Sequence, residues 1–198
     1  DFSYFPSLRI FECNEIENSN MVFSGCNHLE KLKIRDPLSR VTNIDLSRNT
    51  ALKELSLNVA PRITTIDLSN CTNLEKLDVS YSYLTSLNLS QNTNLKVLDC
   101  HNTTGISSLD LSHNTKLEEL YIQEERTDYK DRGVSSLNLT GCSNLRKIVC
   151  GRTGLQTINL SSCAKLEEFY CHYLDGEHSK SIASLDFSQC PNLKVVEL

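Results

Sequence analysis

The sequence is short of several things that would point to a function. No apolar run approaches the roughly 20 residues of a membrane-spanning helix. No charged-plus-apolar leader opens the chain. It begins at Asp1 rather than Met, so a mature or trimmed chain that has lost any export signal or lipid anchor is expected. There is no excess of positive charge: 20 Lys and Arg stand against 25 Asp and Glu, for a formal net charge of −5. Without a basic stripe, nucleic acid is a poor expectation for the partner. Catalytic signatures are missing too, with no G-x-S-x-G, H-E-x-x-H, phosphate-binding loop or G-x-G-x-x-G. His28, His101, His113, His172 and His178 are scattered rather than gathered. An enzyme is therefore not expected, nor a cofactor. No stretch holds a helical period, so little regular α-helix is expected.

What the chain does have is a period. Residues 95–116 read LKVLDCHNTTGISSLDLSHNTK, and residues 145–165 read LRKIVCGRTGLQTINLSSCAK. Each unit has a first half, L-x-x-L-x-C/I/V/L, and a second half, I/L/V-x-x-L/I-D/N-L-S-x-N/C. First-half anchors fall at Leu8, Leu29, Leu52, Leu74, Leu95, Leu117, Leu145, Leu166 and Leu193, spaced 21 to 28 residues apart. Clear second halves begin at Val41, Ile63, Leu84, Ile106, Val134, Leu155 and Ile182, with a degenerate one around Met21 and Phe23. The register is unbroken, which predicts one domain over 1–198 with about nine repeats. One unit cannot bury its own apolar face, whereas stacked units share a core. In L-x-L the two Leu point inward and the residue between them outward. The prediction is a mainly β solenoid of the α/β right-handed superhelix class. A parallel sheet lines one side, and turns, 3₁₀ pieces or second strands line the other.

Nine cysteines would alone suggest disulfides or metal. All of them obey the repeat. Cys13, Cys100, Cys150 and Cys171 take the inward position held elsewhere by Ile34, Leu57, Val79 and Ile122. Cys26, Cys71, Cys142, Cys163 and Cys190 take the turn position of Asn49, Asn92 and Asn114. Packed free thiols are the simplest reading. A disulfide framework and a metal site are the alternatives, although Cys171 and His172 would point opposite ways on a strand. Calcium on the Asp45, Asp67, Asp110 and Asp186 column is interrupted by Asn88, Asn138 and Asn159 and fits no calcium loop. No metal is expected.

The unit L-x-x-L-x-C-x-x-x-x-L-x-x-L-D-L-S-x-N, over Leu52 to Leu198, resembles the 21-residue leucine-rich repeat of bacterial surface proteins of the internalin J type, with its cysteine ladder. VFSGCNHLEKLKIRDPLSRVTNI (22–44) resembles the BspA-like repeat. The resemblance implies a cell-surface or secreted recognition or adhesion module that binds a protein or glycan, host matrix proteins among them. Ser82, Thr103 and Thr153 stand where the usual Asn closes the first half, and no wall-anchor motif is present. A structural segment of a larger surface protein is one alternative. An intracellular eukaryotic leucine-rich-repeat domain is the other, given GCSNL (141–145) and CPNLK (190–194).

Outward second-half positions are monotonous Ser, Thr, Asp and Asn. Outward first-half positions vary: Glu12, Lys33, Ser56, Asp78, Asp99, Tyr121, Val149, Tyr170 and Glu197. Variation on a fixed scaffold is how a contact surface reads, with drift on an unselected surface as the alternative. Tyr121, Tyr170, His172 and Tyr173, with His101 one coil earlier, are expected to cluster. Glu118–Glu119 and Glu167–Glu168 project nearby. The insertions 123–133, which carries Tyr129, and 172–181 flank the same edge. The chain ends on L-x-x-V-x-L without a polar cap, so a monomer or a weak end-to-end dimer is expected.

Overall fold

A computed structural model describes residues 1–15, 19–35, 40–125, 133–171 and 182–198. Its main feature is a parallel sheet of nine strands. They are β1 (Ile10–Asn14), β3 (Lys31–Arg35), β5 (Glu54–Ser56), β6 (Lys76–Asp78), β7 (Val97–Asp99), β9 (Glu119–Tyr121), β11 (Lys147–Val149), β12 (Glu168–Tyr170) and β13 (Val195–Glu197). The other strands are β2 (Asn20–Val22) with β4 (Asn43–Asp45), and β8 (Ser108–Asp110) with β10 (Ser136–Asn138), two parallel pairs made by second halves. No helix occurs among the described residues. The mainly β solenoid expected from the repeat is what forms.

From β5 onward the strands are three residues long, with one inward residue between two outward ones. The second residues of β3, β5, β6, β7, β9, β11 and β12 are Leu32, Leu55, Leu77, Leu98, Leu120, Ile148 and Phe169, each at most 1% exposed. The anchors Leu29 to Leu166 are buried beside them, and second-half residues such as Ile63, Leu84 and Leu109 close the core from the other side. The degenerate second half keeps its register: Met21 lies opposite Ile44, and both are buried. Met and Phe there are larger fillers for the same slot.

Turns carry the rest of the grammar. The carboxylates of Asp45, Asp67, Asp110 and Asp186 and the amide oxygens of Asn88, Asn138 and Asn159 each accept the N–H two residues on, at 2.8–3.1 Å. This is the local Asx turn for which short polar side chains are suited. Further round the coil, Asn49, Asn92 and Asn114 are fully buried and donate from Nδ2 to two carbonyls of the preceding coil, at 2.9–3.2 Å. Cysteine substitutes in this column with a weaker donor: Cys26 Sγ reaches Phe2 O at 3.0 Å and Cys142 Sγ reaches Leu111 O at 3.4 Å. The turn column is therefore a hydrogen-bond ladder between coils.

The nine cysteines are free thiols, eight of them buried. Burial pushes the Cys71 and Cys163 thiols up to about 12, which leaves them neutral and poor nucleophiles. Beyond the main strands the chain turns through left-handed residues, namely Glu15, Val59, Tyr81, Asn102 and Arg152 at φ 54–59°. For Val59 this conformation is strained. Thr103 and Thr153 follow two of these residues and point inward, their hydroxyls donating to Val79 O and Cys150 O at 3.0 Å. They stand where the resembled repeat has Asn, and they satisfy backbone carbonyls at that point.

Candidate binding face

The outward surface of the main sheet is made of parallel columns, one residue per coil, and each column follows its own rule. The first column precedes the strands: Arg9, Glu30, Lys53, Glu75, Lys96, Glu118, Arg146, Glu167 and Lys194. Each N–H in it donates to the carbonyl of the member before at 2.8 Å, which fixes the register. Its charges alternate in sign through all nine positions. Glu30 pairs with Arg9 and with Lys53 (2.9 Å), Lys96 with Glu75 (2.7 Å), and Glu167 with Arg146 (3.4 Å) and Lys194 (2.5 Å). The lysine hydrogen bonds hold the Glu30, Glu75 and Glu167 carboxyls below the usual range. Exposed pairs of this kind contribute little singly. Their value lies in register, since slipping by one coil sets like charges together.

Glu118 and Glu167, expected to project beside the tyrosines, are members of this ladder. Sequence reasoning on the acidic pairs missed it. The signal was there, because the residue after the anchor Leu changes sign at every unit.

The second column also alternates: Lys31, Glu54, Lys76, Val97, Glu119, Lys147, Glu168, Val195. The third is the variable column, and its members stand in direct register from Glu12 to Glu197. Here Tyr121 and Tyr170 flank Val149. Lys147 reaches between them, with Nζ 6.0 Å from the Tyr121 ring centre and 5.0 Å from that of Tyr170. It also pairs with Glu168 at 2.9 Å. Each tyrosine hydroxyl donates to the glutamate two residues before it: Tyr121 to Glu119 at 2.8 Å, Tyr170 to Glu168 at 3.2 Å. Burial, and then the Glu119 carboxylate, push the Tyr121 phenol up. The tyrosines are thus brought together as expected, with a lysine seated between them.

His101 lies just beyond Asp99, whose register neighbour is Tyr121. The Asp99 carboxylate accepts the His101 N–H (3.1 Å) and contacts Nδ1 (2.5 Å). Partial burial opposes protonation of this imidazole, but Asp99, Glu125 and Asp78 outweigh it and the net shift is upward. The Tyr81 ring meets that of His101 edge-on at 4.8 Å, and the Tyr81 hydroxyl donates to Glu125 at 2.8 Å. Asp78 accepts from Ser56 Oγ (2.8 Å), Ser80 N (3.0 Å) and Ser80 Oγ (2.5 Å). The expected site residues Tyr129, His172 and Tyr173 lie outside the described residues, as do most of both insertions.

Among the described residues no group of three or more His, Cys, Asp or Glu could hold a metal ion. In the second-half column, hydrogen bonds from Ser47, Ser69, Ser112 and Ser188 hold the Asp45, Asp67, Asp110 and Asp186 carboxyls low. Those bonds give this column a structural use.

No protein-family profile matches the chain, and no curated protein matches it. Solved structures do. The leucine-rich-repeat domain of the type III effector XopL aligns over 98% of the chain and 70% of its own length, at 20% identity and a TM-score of 0.62. A TLR13–ssRNA13 complex aligns over 86% of the chain and 26% of its own, at 20% identity and 0.65. The internalin InlF of Listeria monocytogenes aligns over 98% and 68%, at 19% and 0.54. The functional domain of InlJ from the same organism, described as including a cysteine ladder, aligns over 100% and 55%, at 23% and 0.49. The chain spans about half the length of that InlJ domain and about a quarter of TLR13. Columns, turns and neighbours together identify the fold of this chain as a leucine-rich-repeat solenoid of the kind seen in internalins.

Proposed function

We propose that this chain is a non-catalytic recognition module of a cell-surface or secreted bacterial protein, and that it binds a protein or glycan on the outward face of its nine-stranded sheet. The observation that carries this reading is the contrast between columns. The first two columns alternate in charge and the second-half column repeats one turn. Only the third column, Glu12 to Glu197, follows no structural rule. Tyr121 and Tyr170, with Val149 between them, give it amphipathic contact area at low ordering cost, because the two tyrosine hydroxyls are already held by Glu119 and Glu168. The bacterial surface setting comes from the repeat pattern and from the internalins among the neighbours. The TLR13 complex is a reminder that the fold also serves RNA, but the charge of this face favours neither RNA nor DNA.

The test is an array of matrix proteins, mucins and glycans probed with the purified chain. Any ligand found is then titrated against Tyr121→Ala with Tyr170→Ala. Loss of about tenfold or more in affinity is expected, corresponding to an interface hot spot. An affinity unchanged by the double substitution would place the contact elsewhere.

A further inference from the structure

The main sheet joins each coil to the next, but the second-half side joins them only in pairs. The residue after the opening aliphatic of each clear second half is Thr42, Thr64, Thr85, Ser107, Ser135, Gln156 or Ala183. The amide donates to the coil before it at Thr42 (Ser19 O, 2.8 Å), Thr85 (Thr64 O, 3.1 Å), Ser135 (Ser107 O, 2.9 Å) and Ala183 (Gln156 O, 2.8 Å). The amides of Thr64, Ser107 and Gln156 make no such bond among the described residues. Linked and unlinked junctions therefore alternate, and the unlinked ones lie behind β5, β7 and β11. The main sheet holds its strands about 4.8 Å apart. Links at only every second junction mean that the coils stand further apart on the other side, so the stack bends around the sheet.

The three seams are not equal. Behind β7, Asn114 bridges the seam from Nδ2 to Leu89 O and Asn92 O, at 3.1 and 2.9 Å. Gly105 also lets the backbones close there, since a Cβ on it would lie 2.3 Å from Leu84 O. Behind β11, Gly154 does the same, with room for no more than a 3.0 Å approach to Ser135 Cβ. Behind β5 both devices are missing. Cys71 donates to no carbonyl among the described residues, unlike Cys26, Cys142 and Cys190 in its column. Arg62 stands where the other two seams have Gly105 and Gly154. A cavity of about 390 Å³ opens at this seam, between residues 43–47 and 65–67. One exposed side-chain bond still crosses it, from Asn73 Nδ2 to Thr50 O at 2.8 Å. On the opposite, outward face of the sheet lies a cleft of about 550 Å³, lined by Glu12, Lys33, Arg35, Ser56, Asn58 and Asp78.

We propose that β5 is a hinge built into the solenoid: the seam behind it opens as the cleft in front of it shuts, and the reverse. The backbone pairing of β5 with β3 and β6 is the axis. A hinge needs an intact axis, few links on one side and room to move on both, and this strand has all three. The motion changes the curvature of the N-terminal half of the outward face without unpacking the core. It rests on links within the chain, so it stands or falls independently of what the face binds.

The test is amide relaxation dispersion of the parent chain and of Cys71→Asn. That substitution supplies the missing rung with the residue that Asn49 and Asn92 already provide in the same column. In the parent, exchange on the microsecond-to-millisecond scale is expected at residues 43–47 and 64–68, flanking the open seam, and not at 85–90 and 107–112, flanking the bridged one. Cys71→Asn should abolish it. Shutting the seam opens the front cleft, so Lys33 should react faster with an amine reagent in Cys71→Asn, while Lys116 keeps its rate. The contrast between the two seams in the parent decides the matter if Cys71→Asn does not fold. No exchange at the open seam, equal exchange at both seams, exchange that survives Cys71→Asn, or a Lys33 rate that stays put while exchange stops would each overturn the proposal.

Discussion

The two sides of this solenoid are built from the same kind of residue and put it to opposite uses. On the second-half side Asp67 accepts the Ser69 N–H and ends its work there. On the first-half side Asp78 is also held by serines, but it faces another carboxylate across the sheet. A side chain that repeats because the turn needs it says little about function. A side chain placed against the electrostatic rule of its neighbours says more, since stability alone would have removed it.

The largest effects are expected in the scaffold that both sides share. Leu98→Ala, in the centre of β7, should cost about 2–5 kcal/mol in chemical denaturation. Asn92→Ala should cost about 1–3 kcal/mol, because the Leu68 and Cys71 carbonyls lose their buried donor. Asn92→Cys should cost less, since other coils manage with a thiol. A cost for Asn92→Cys equal to that for Asn92→Ala would contradict the shared ladder.

Smaller effects separate the two sides. Asp67→Ala should destabilise by about 0.5–1 kcal/mol through the lost turn bond, and Asp67→Asn by less. Asp45, Asp67 and Asp110 have folded pKa values below their unfolded ones. Their contribution is therefore present above about pH 4 and is lost as pH falls through the lower folded values. His101 has the opposite sign. Its folded pKa is raised, so its contribution is full below about pH 6.5 and fades as pH rises through the folded value. Asp99→Asn should flatten stability over that neutral window. A pH profile of denaturation midpoints for the parent, Asp67→Asn and Asp99→Asn reads all of this. The smallest effect is expected from Lys147→Ala, under about 1 kcal/mol in stability, although it uncovers the slot between Tyr121 and Tyr170.

Much of this was legible in the sequence, and the physics says why. A period of 21 to 28 residues with L-x-L at its centre fixes which residues face inward, so the core, the nine-stranded sheet and both cysteine columns follow from counting. The variable column from Glu12 to Glu197 was legible for the same reason, because stacked units stand in register by construction. What counting did not deliver was the partner of each side chain. Glu118 and Glu167 were legible as acidic neighbours of the tyrosines, but not as members of a column that alternates in charge, in which Glu167 pairs with Arg146 and Lys194. Lys147 drew no notice, because its place between Tyr121 and Tyr170 depends on a long side chain crossing from one column to another. Glu125 sits at the start of an insertion, outside the repeat, and no periodicity could bring it to Tyr81.

Recognition is expected on the variable first-half column and not on the second-half turns. Side-chain footprinting of the chain with and without a ligand taken from the binding array tests it most directly. Protection is expected at Tyr81, His101, Tyr121 and Tyr170, with the second-half residues Leu87, Ile66 and Leu137 unchanged. Protection confined to the second-half residues, with the tyrosines as reactive as in the free chain, would contradict it.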